Sequence, residues 1–125
     1  MENKELQQYI FDLQQFQIQV KFWHWQTKMY AKHKTFCELF DFLSKQIDEF
    51  TEISMGKFGR PVVDGVSYTF VNFNDNEVNK QIDNCIEMCI NLTNILDSQK
   101  DSDLLNLRDE TIAMMNKVKY LLTLK

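Results

Sequence analysis

Apolar residues recur at steps of three and four along four stretches of the chain, the spacing that collects them on one face of an α-helix. The first stretch predicts a helix over about residues 3–29. The second runs to Met55, after which two glycines and a proline predict the helix end. Since only Tyr30–Lys32 remain free between these helices, we expect an antiparallel helical hairpin that turns there.

The second half of the chain predicts another pair of helices. Asn74, with Glu77 three residues later, is a candidate N-cap for a helix over about residues 76–97. Ser102 is the candidate N-cap of the fourth helix. The apolar face predicted for that helix consists of Leu105, Ile112, Met115, Val118 and Leu122.

The segment from Pro61 to Asn74 is β-branched and aromatic and has no helical period. It is too apolar for a free linker, so we expect an extended crossover that buries Val66, Phe70 and Phe73 against the helices. A lone strand or hairpin is the alternative, which is disfavoured because no second strand is available to pair with it.

Two antiparallel helical hairpins joined by a long crossover, over about residues 58–75, predict an all-α, ferritin-like four-helix bundle. With 125 residues the chain should form a single domain over residues 1–125. Three glycines and one proline leave little material for turns, which also favours long helices.

Charge and hydropathy exclude several classes of partner. The net charge is −4 and the lysines are scattered, so direct nucleic-acid binding is not expected. No apolar run approaches the roughly 20 residues that span a bilayer, and Met1–Gln8 is not signal-like, so we expect a soluble, cytoplasmic protein and no membrane partner. Cys85 and Cys89 are four apart on one helical face, which favours reduced core cysteines over a disulfide or a metal knuckle.

The candidate chemistry lies around the first hairpin. His24 and His33, the only histidines, flank the break between the first two helices, and Asp48 and Glu52 follow one turn apart on the second helix. Imidazole and carboxylate ligands together make iron or zinc sites. On a helical wheel one polar stripe of the second helix holds His33, Cys37, Asp41, Ser44, Asp48 and Glu52. A stripe that simply faces water is the alternative, since most charged helical residues are solvated.

The distance between the candidate ligands decides whether one chain can form such a site. Fifteen residues separate His33 from Asp48, which is about 22 Å along a helix and far beyond one coordination sphere. One chain therefore cannot supply all the ligands. Two copies packed antiparallel through the second helix, with a two-fold axis near Phe42 or Leu43, would bring the histidines of one chain against the carboxylates of the other and form two identical intersubunit sites.

The residues that carry this hypothesis also carry a resemblance. The run Phe22-Trp23-His24-Trp25, then His33, then Asp48 to Glu52 before Gly56 and Gly59-Arg60-Pro61, resembles the Dps miniferritins over roughly residues 10–61. The chain looks closer still to short ferritin-like proteins of unknown function from phages and large DNA viruses.

This resemblance implies an iron(II)-oxidising, iron-storing protein, a ferroxidase, with an iron site between two subunits of a dimer or of a twelve-subunit cage. It places His24 and His33 on one chain and Asp48 and Glu52 on its partner. Three departures stand out. The interval between the histidines is shorter, Cys37 replaces an Asp of the family pattern with Asp41 as its substitute one turn on, and no Lys-rich amino-terminal tail is present for DNA binding.

Three functions remain open from the sequence. The first is a miniferritin-like iron-binding protein with iron(II) oxidation and storage at the intersubunit site. The second is a metal-free structural or interaction bundle, virion-associated if the chain is viral. The third is a bundle stabilised by zinc at the dimer interface, held by His24, His33, Cys37 and a partner carboxylate, ligand types that suit tetrahedral zinc.

Overall fold

The computed structural model describes all 125 residues and contains four α-helices and no β-strand. The helices are α1 (Lys4–Gln26), α2 (Tyr30–Phe58), α3 (Asp75–Ile95) and α4 (Ser102–Leu121). α1 and α2 form one hairpin, α3 and α4 form the other, and an extended crossover joins the two. The predicted all-α four-helix bundle with a long crossover is confirmed.

Contacts near the helix ends fix the direction of each helix. The Glu2 N–H donates to the Phe58 carbonyl at 2.7 Å, which places the start of α1 beside the end of α2. Lys32 pairs with Asp75, so the start of α3 lies beside the start of α2. α1 contacts α2 and α3, and α4 contacts the same two helices. The bundle therefore runs up, down, down, up, and the crossover must travel its full length.

A single apolar cluster of 23 buried residues fills the space between the helices. α2 supplies Phe36, Leu39, Leu43, Ile47 and Phe50 to this cluster, and the half-buried Phe40 packs against it. Each large apolar side chain removed from water contributes roughly 1.5–3 kcal/mol, which makes this cluster the main force that orders the bundle.

The apolar face of α4 differs from the predicted one. Leu105, Ile112 and Leu122 are only half-buried, whereas Leu104, Thr111 and Met114 are buried beside the predicted Met115 and Val118. The helix is apolar around much of its circumference, so its periodicity allows several orientations. Packing against both α2 and α3 selects the observed one.

The first turn also differs from the prediction. α1 ends at Gln26 and the turn is Thr27–Met29, because Tyr30 already belongs to α2 and the His33 N–H donates to the Met29 carbonyl at 2.9 Å. Three residues suffice because the Thr27 hydroxyl accepts a hydrogen bond from the Met29 N–H at 3.3 Å, a local bond typical of short turns.

The predicted helix starts in the second half are correct in one case and wrong in the other. The Asn74 side chain accepts hydrogen bonds from the N–H groups of Asn76 and Glu77, so it caps α3 as expected. Ser102 is not an N-cap but the first residue of α4, and the cap position is Asp101. The Asp101 carboxylate instead accepts from the Asp97 N–H at 2.9 Å and so closes the turn between α3 and α4.

The crossover begins at Gly59, whose φ of +86° is open to glycine and strained for other residues. Phe70 packs on Phe22 with ring centroids 5.1 Å apart, and Phe73 packs on Phe36 at 6.0 Å. Phe70 and Phe73, which were expected to be buried, are half-buried against the helices. The expectation that Val66 is buried is wrong, since this side chain is 38% exposed just after the Asp64–Gly65 bend.

Glutamines of α1 hold the crossover backbone in place. Gln7, Gln15 and Gln26 accept hydrogen bonds from the backbone N–H groups at positions 62, 69 and 73 of the crossover, respectively. Gln19 is 1% exposed and makes two such bonds, accepting from the Val71 N–H at 2.8 Å and donating to its carbonyl at 2.9 Å. The Gln19 amide thus pairs with both backbone groups of Val71, as the backbone of a neighbouring strand would in a β-sheet.

Candidate functional site

The two histidines form a reciprocal clasp at the end of the first hairpin. Nδ1 of His24 lies 2.8 Å from the His33 carbonyl oxygen, and Nδ1 of His33 lies 2.8 Å from the His24 carbonyl oxygen. Their rings are stacked with centroids 3.8 Å apart and planes 19° apart. His24 is buried and His33 half-buried. The structure therefore brings together the histidines that the sequence placed on either side of the turn.

The clasp determines which nitrogens are free. A carbonyl oxygen can only accept a hydrogen bond, so Nδ1 of each histidine must donate, and the neutral imidazole then carries its lone pair on Nε2. A ring that donates one N–H to a backbone carbonyl and keeps the other nitrogen free is the usual state of a metal-binding histidine. His24 and His33 are thus held in the form that an iron or zinc ion requires.

The predicted carboxylate ligands lie elsewhere on α2. Asp41, Asp48 and Glu52 are exposed and make no ion pair within the chain. Because α2 is one continuous helix, His33 and Asp48 stay about 22 Å apart. No group of three or more His, Cys, Asp or Glu side chains in the chain is placed to hold a metal ion. A site that uses these residues needs a second chain.

Cys37 lies one turn after His33 and is free and half-buried. Cys37 belongs to the polar stripe of α2 that begins at His33. The structure does not bring its thiol together with the two imidazoles as a group of three metal ligands. Thiolate ligands favour zinc and carboxylates favour iron, so the residue types of the stripe are compatible with either metal only if a second chain completes the site.

A groove of ≈ 680 Å³ opens beside Asp48. α1, α2 and the crossover together line it, and its exposed wall is more apolar than polar. The Thr51 hydroxyl, one of the lining groups, is buried and has no hydrogen-bond partner in the chain. Sequence reasoning missed this groove because the crossover residues Val63 and Tyr68 form one of its sides, and only the fold brings them beside α2.

Large hydrophobic side chains beside the clasp are exposed to solvent. Trp25, Met29 and Tyr30 are 64%, 43% and 75% exposed. Tyr30 stacks toward His33 with ring centroids 6.4 Å apart. Trp23 is fully buried, whereas Trp25 and Tyr30 are available for contact with another molecule.

A second group of reactive side chains lies on the other side of the bundle. Cys85 and Cys89 are free and buried, as predicted for core cysteines, and the Tyr9 hydroxyl lies 3.6 Å from the Cys89 sulfur. The hydrogen bond between the two thiols, together with burial, raises the pKa of Cys85. The pKa of Cys89 is lowered because the Cys85 thiol and the Tyr9 hydroxyl donate to it and the Arg108 cation attracts its thiolate.

The chain matches a family model described as Family of unknown function (DUF5856) over residues 24–122. The chain belongs to this family. The DUF5856 match begins at His24 and includes His33, Asp48 and Glu52, so the clasp and both predicted carboxylates lie within the family region. No curated protein and no solved structure matches this DUF5856 chain. The resemblance to miniferritins stays a prediction.

No helix of the DUF5856 chain combines the length and the apolar character needed to cross a bilayer.

Proposed function

We propose that the protein binds a transition metal between two copies of the chain, with His24 and His33 from one subunit and Asp48 and Glu52 from its partner. The clasp is the observation that carries this proposal, because it leaves Nε2 free on both rings. The order of connections, with two hairpins and one long crossover, is also that of ferritin-like bundles.

Iron is the metal we propose, with oxidation of iron(II) as the activity. Two imidazoles and two carboxylates match the nitrogen and oxygen ligands typical of non-haem iron. Asp48 and Glu52 lie one turn apart on the exposed side of α2, so both can approach one ion. Cys37 and Asp41 extend the ligand set at the histidine end.

The shape of the surface supports a homodimer through α2. In an antiparallel pair the clasp end of one subunit meets the Asp48 region of the other. The exposed Trp25 and Tyr30 beside the clasp would then come near the groove beside Asp48, whose apolar walls need a cover. Such a pair forms two identical sites, and it is also the unit from which a closed cage would be assembled.

Anaerobic iron(II) titration followed by exposure to oxygen or peroxide tests the proposal, with near-ultraviolet absorbance as the readout. We expect saturable oxidation that Asp48→Asn removes and Glu49→Gln leaves intact. Both residues are exposed neighbours on α2, and both substitutions remove one negative charge. Light scattering would separate a monomer of 15.0 kDa from a dimer of about 30 kDa and a dodecamer of about 180 kDa. Absence of saturable oxidation, or equal loss in both variants, would refute the iron proposal.

The second candidate function is an interaction bundle without iron. It is favoured by the clasp itself, because both histidines already have backbone partners and close the hairpin end. In this case zinc or no metal is present, and the exposed aromatic residues bind another protein, in a virion if the chain is viral. Metal analysis of the purified protein distinguishes the two functions, since one zinc per chain and no iron would favour the bundle.

A further inference from the structure

Two cysteines and a tyrosine meet in the core, away from the histidines. Cys85 and Cys89 are 2% and 0% exposed and lie one turn apart on α3. The Tyr9 hydroxyl from α1 contacts the Cys89 sulfur, and Arg108 from α4 donates to the Cys89 carbonyl at 3.0 Å. Residues of α1 and α4 therefore meet α3 at Cys89.

The spacing of the two cysteines disfavours a disulfide. Residues four apart on a helix have Cβ atoms about 5–6 Å apart. A disulfide requires Cβ atoms about 3.5–4.5 Å apart, so closing this bond would distort α3 where it is buried. A disulfide between Cys85 and Cys89 is therefore disfavoured.

The same spacing leaves room for one metal ion between the sulfurs. Metal–sulfur bonds of about 2.3 Å place two sulfurs about 4.6 Å apart in a linear site, so the two hydrogen-bonded thiols need to move apart only slightly when they bind the ion. Thiolates select soft ions such as Cu(I), whereas tetrahedral zinc needs four ligands. No third His, Cys, Asp or Glu joins Cys85 and Cys89. We propose that this pair is a two-coordinate site for Cu(I).

The surroundings balance the charge of such a site. Binding of Cu⁺ by two thiols releases two protons and leaves a complex with one negative charge. A lone charge in an apolar core is costly. The Arg108 guanidinium lies against the Cys89 carbonyl and the Tyr9 hydroxyl points at the Cys89 sulfur, so a cation and a hydrogen-bond donor are both in place.

A route to the site exists on the surface between α1 and α3. Cys85 lines a groove of ≈ 250 Å³ together with Met88, whose thioether is itself a soft ligand. The remaining wall is mainly polar and includes Asp12, Gln81 and Asn84. The groove therefore gives an ion access to Cys85, the first of the two thiols.

Anaerobic titration of the fully reduced protein with Cu(I), in competition with a chromogenic Cu(I) chelator, tests the proposal. We expect one Cu(I) per chain, a new thiolate-to-metal absorption in the ultraviolet, and at least a 100-fold loss of affinity in Cys85→Ser and Cys89→Ser. Met115→Leu, which removes a buried sulfur on α4 outside the pair, is the matched control and should bind as the wild type does. Failure of the wild type to compete, or equal loss of binding in Met115→Leu, would overturn the site.

X-ray absorption of the Cu(I)-loaded Cys37→Ser protein keeps the proposal testable if the core variants fail to fold. Two sulfur neighbours in a linear arrangement support the site, and one sulfur or a mixture with nitrogen overturns it. Cys85 and Cys89 take no part in the proposed intersubunit site, so Cu(I) binding and iron(II) oxidation are separate tests.

Discussion

Gln19→Met should loosen the crossover from the bundle. Methionine has nearly the length and volume of glutamine, so the packing of this 1% exposed side chain is largely kept while both hydrogen bonds to Val71 are removed. Each intramolecular hydrogen bond contributes about 0.5–1.5 kcal/mol net, so the loss should be about 1–3 kcal/mol in the free energy of unfolding. With a urea m-value of about 1–3 kcal/mol per molar for a chain of this size, the unfolding midpoint should fall by about 1 M.

Gln15→Met is the matched control. Gln15 accepts one longer bond, 3.2 Å from the Thr69 N–H, in an exposed setting where water can replace it. We therefore expect a change below about 0.5 kcal/mol. Urea unfolding followed by circular dichroism measures both variants, and amide hydrogen exchange at Val71 reports the local bond. Equal midpoints for the two variants, or unchanged exchange at Val71 in Gln19→Met, would refute the role of Gln19.

Two further predictions concern a charge and a pair of glycines. The N–H groups of Lys100 and Gln99 hold the pKa of Asp97 below its ordinary 3.8, so its stabilisation is present above that value and is lost as the pH falls through the lowered pKa. Asp97→Asn should therefore be less stable than wild type at pH 7 in urea unfolding, and a deficit that persists undiminished well below pH 3.8 would contradict this. Gly59→Ala should destabilise the protein by about 1–3 kcal/mol because φ is +86°, whereas Gly56→Ala, inside α2 with open space around it, should stabilise it by roughly 0.5–1 kcal/mol in thermal unfolding. The same sign for both glycine variants would refute the backbone argument.

Helix number and the faces of α1 and α2 were predictable because burial imposes a period that the residues display directly. Leu39 and Leu43 are buried as their spacing requires. The face of α4 was not predictable, because Leu104 and Leu105 are equally apolar and only contact with neighbouring helices separates them. The predicted boundaries of the first turn were wrong for a similar reason. The turn at Thr27 depends on one local hydroxyl bond that has no strong sequence signal.

For the candidate site, the residue types and the need for a second chain followed from the sequence alone. Histidine and carboxylate chemistry is a property of the side chains, and the 22 Å estimate is a property of any helix of that length. The clasp did not follow, because reciprocal bonds between side chains and backbone across a turn depend on how two helices approach each other.

The sequence by itself determined the four helices, the crossover and the inventory of reactive groups, since local periodicity and residue chemistry are written in neighbouring positions. The tertiary structure alone decided which of these groups meet. It made Gln19 the buried anchor of the crossover, stacked His24 on His33, and placed Tyr9 beside Cys89. The first and third contacts join positions 52 and 80 residues apart, and all three depend on how the helices pack rather than on any local preference.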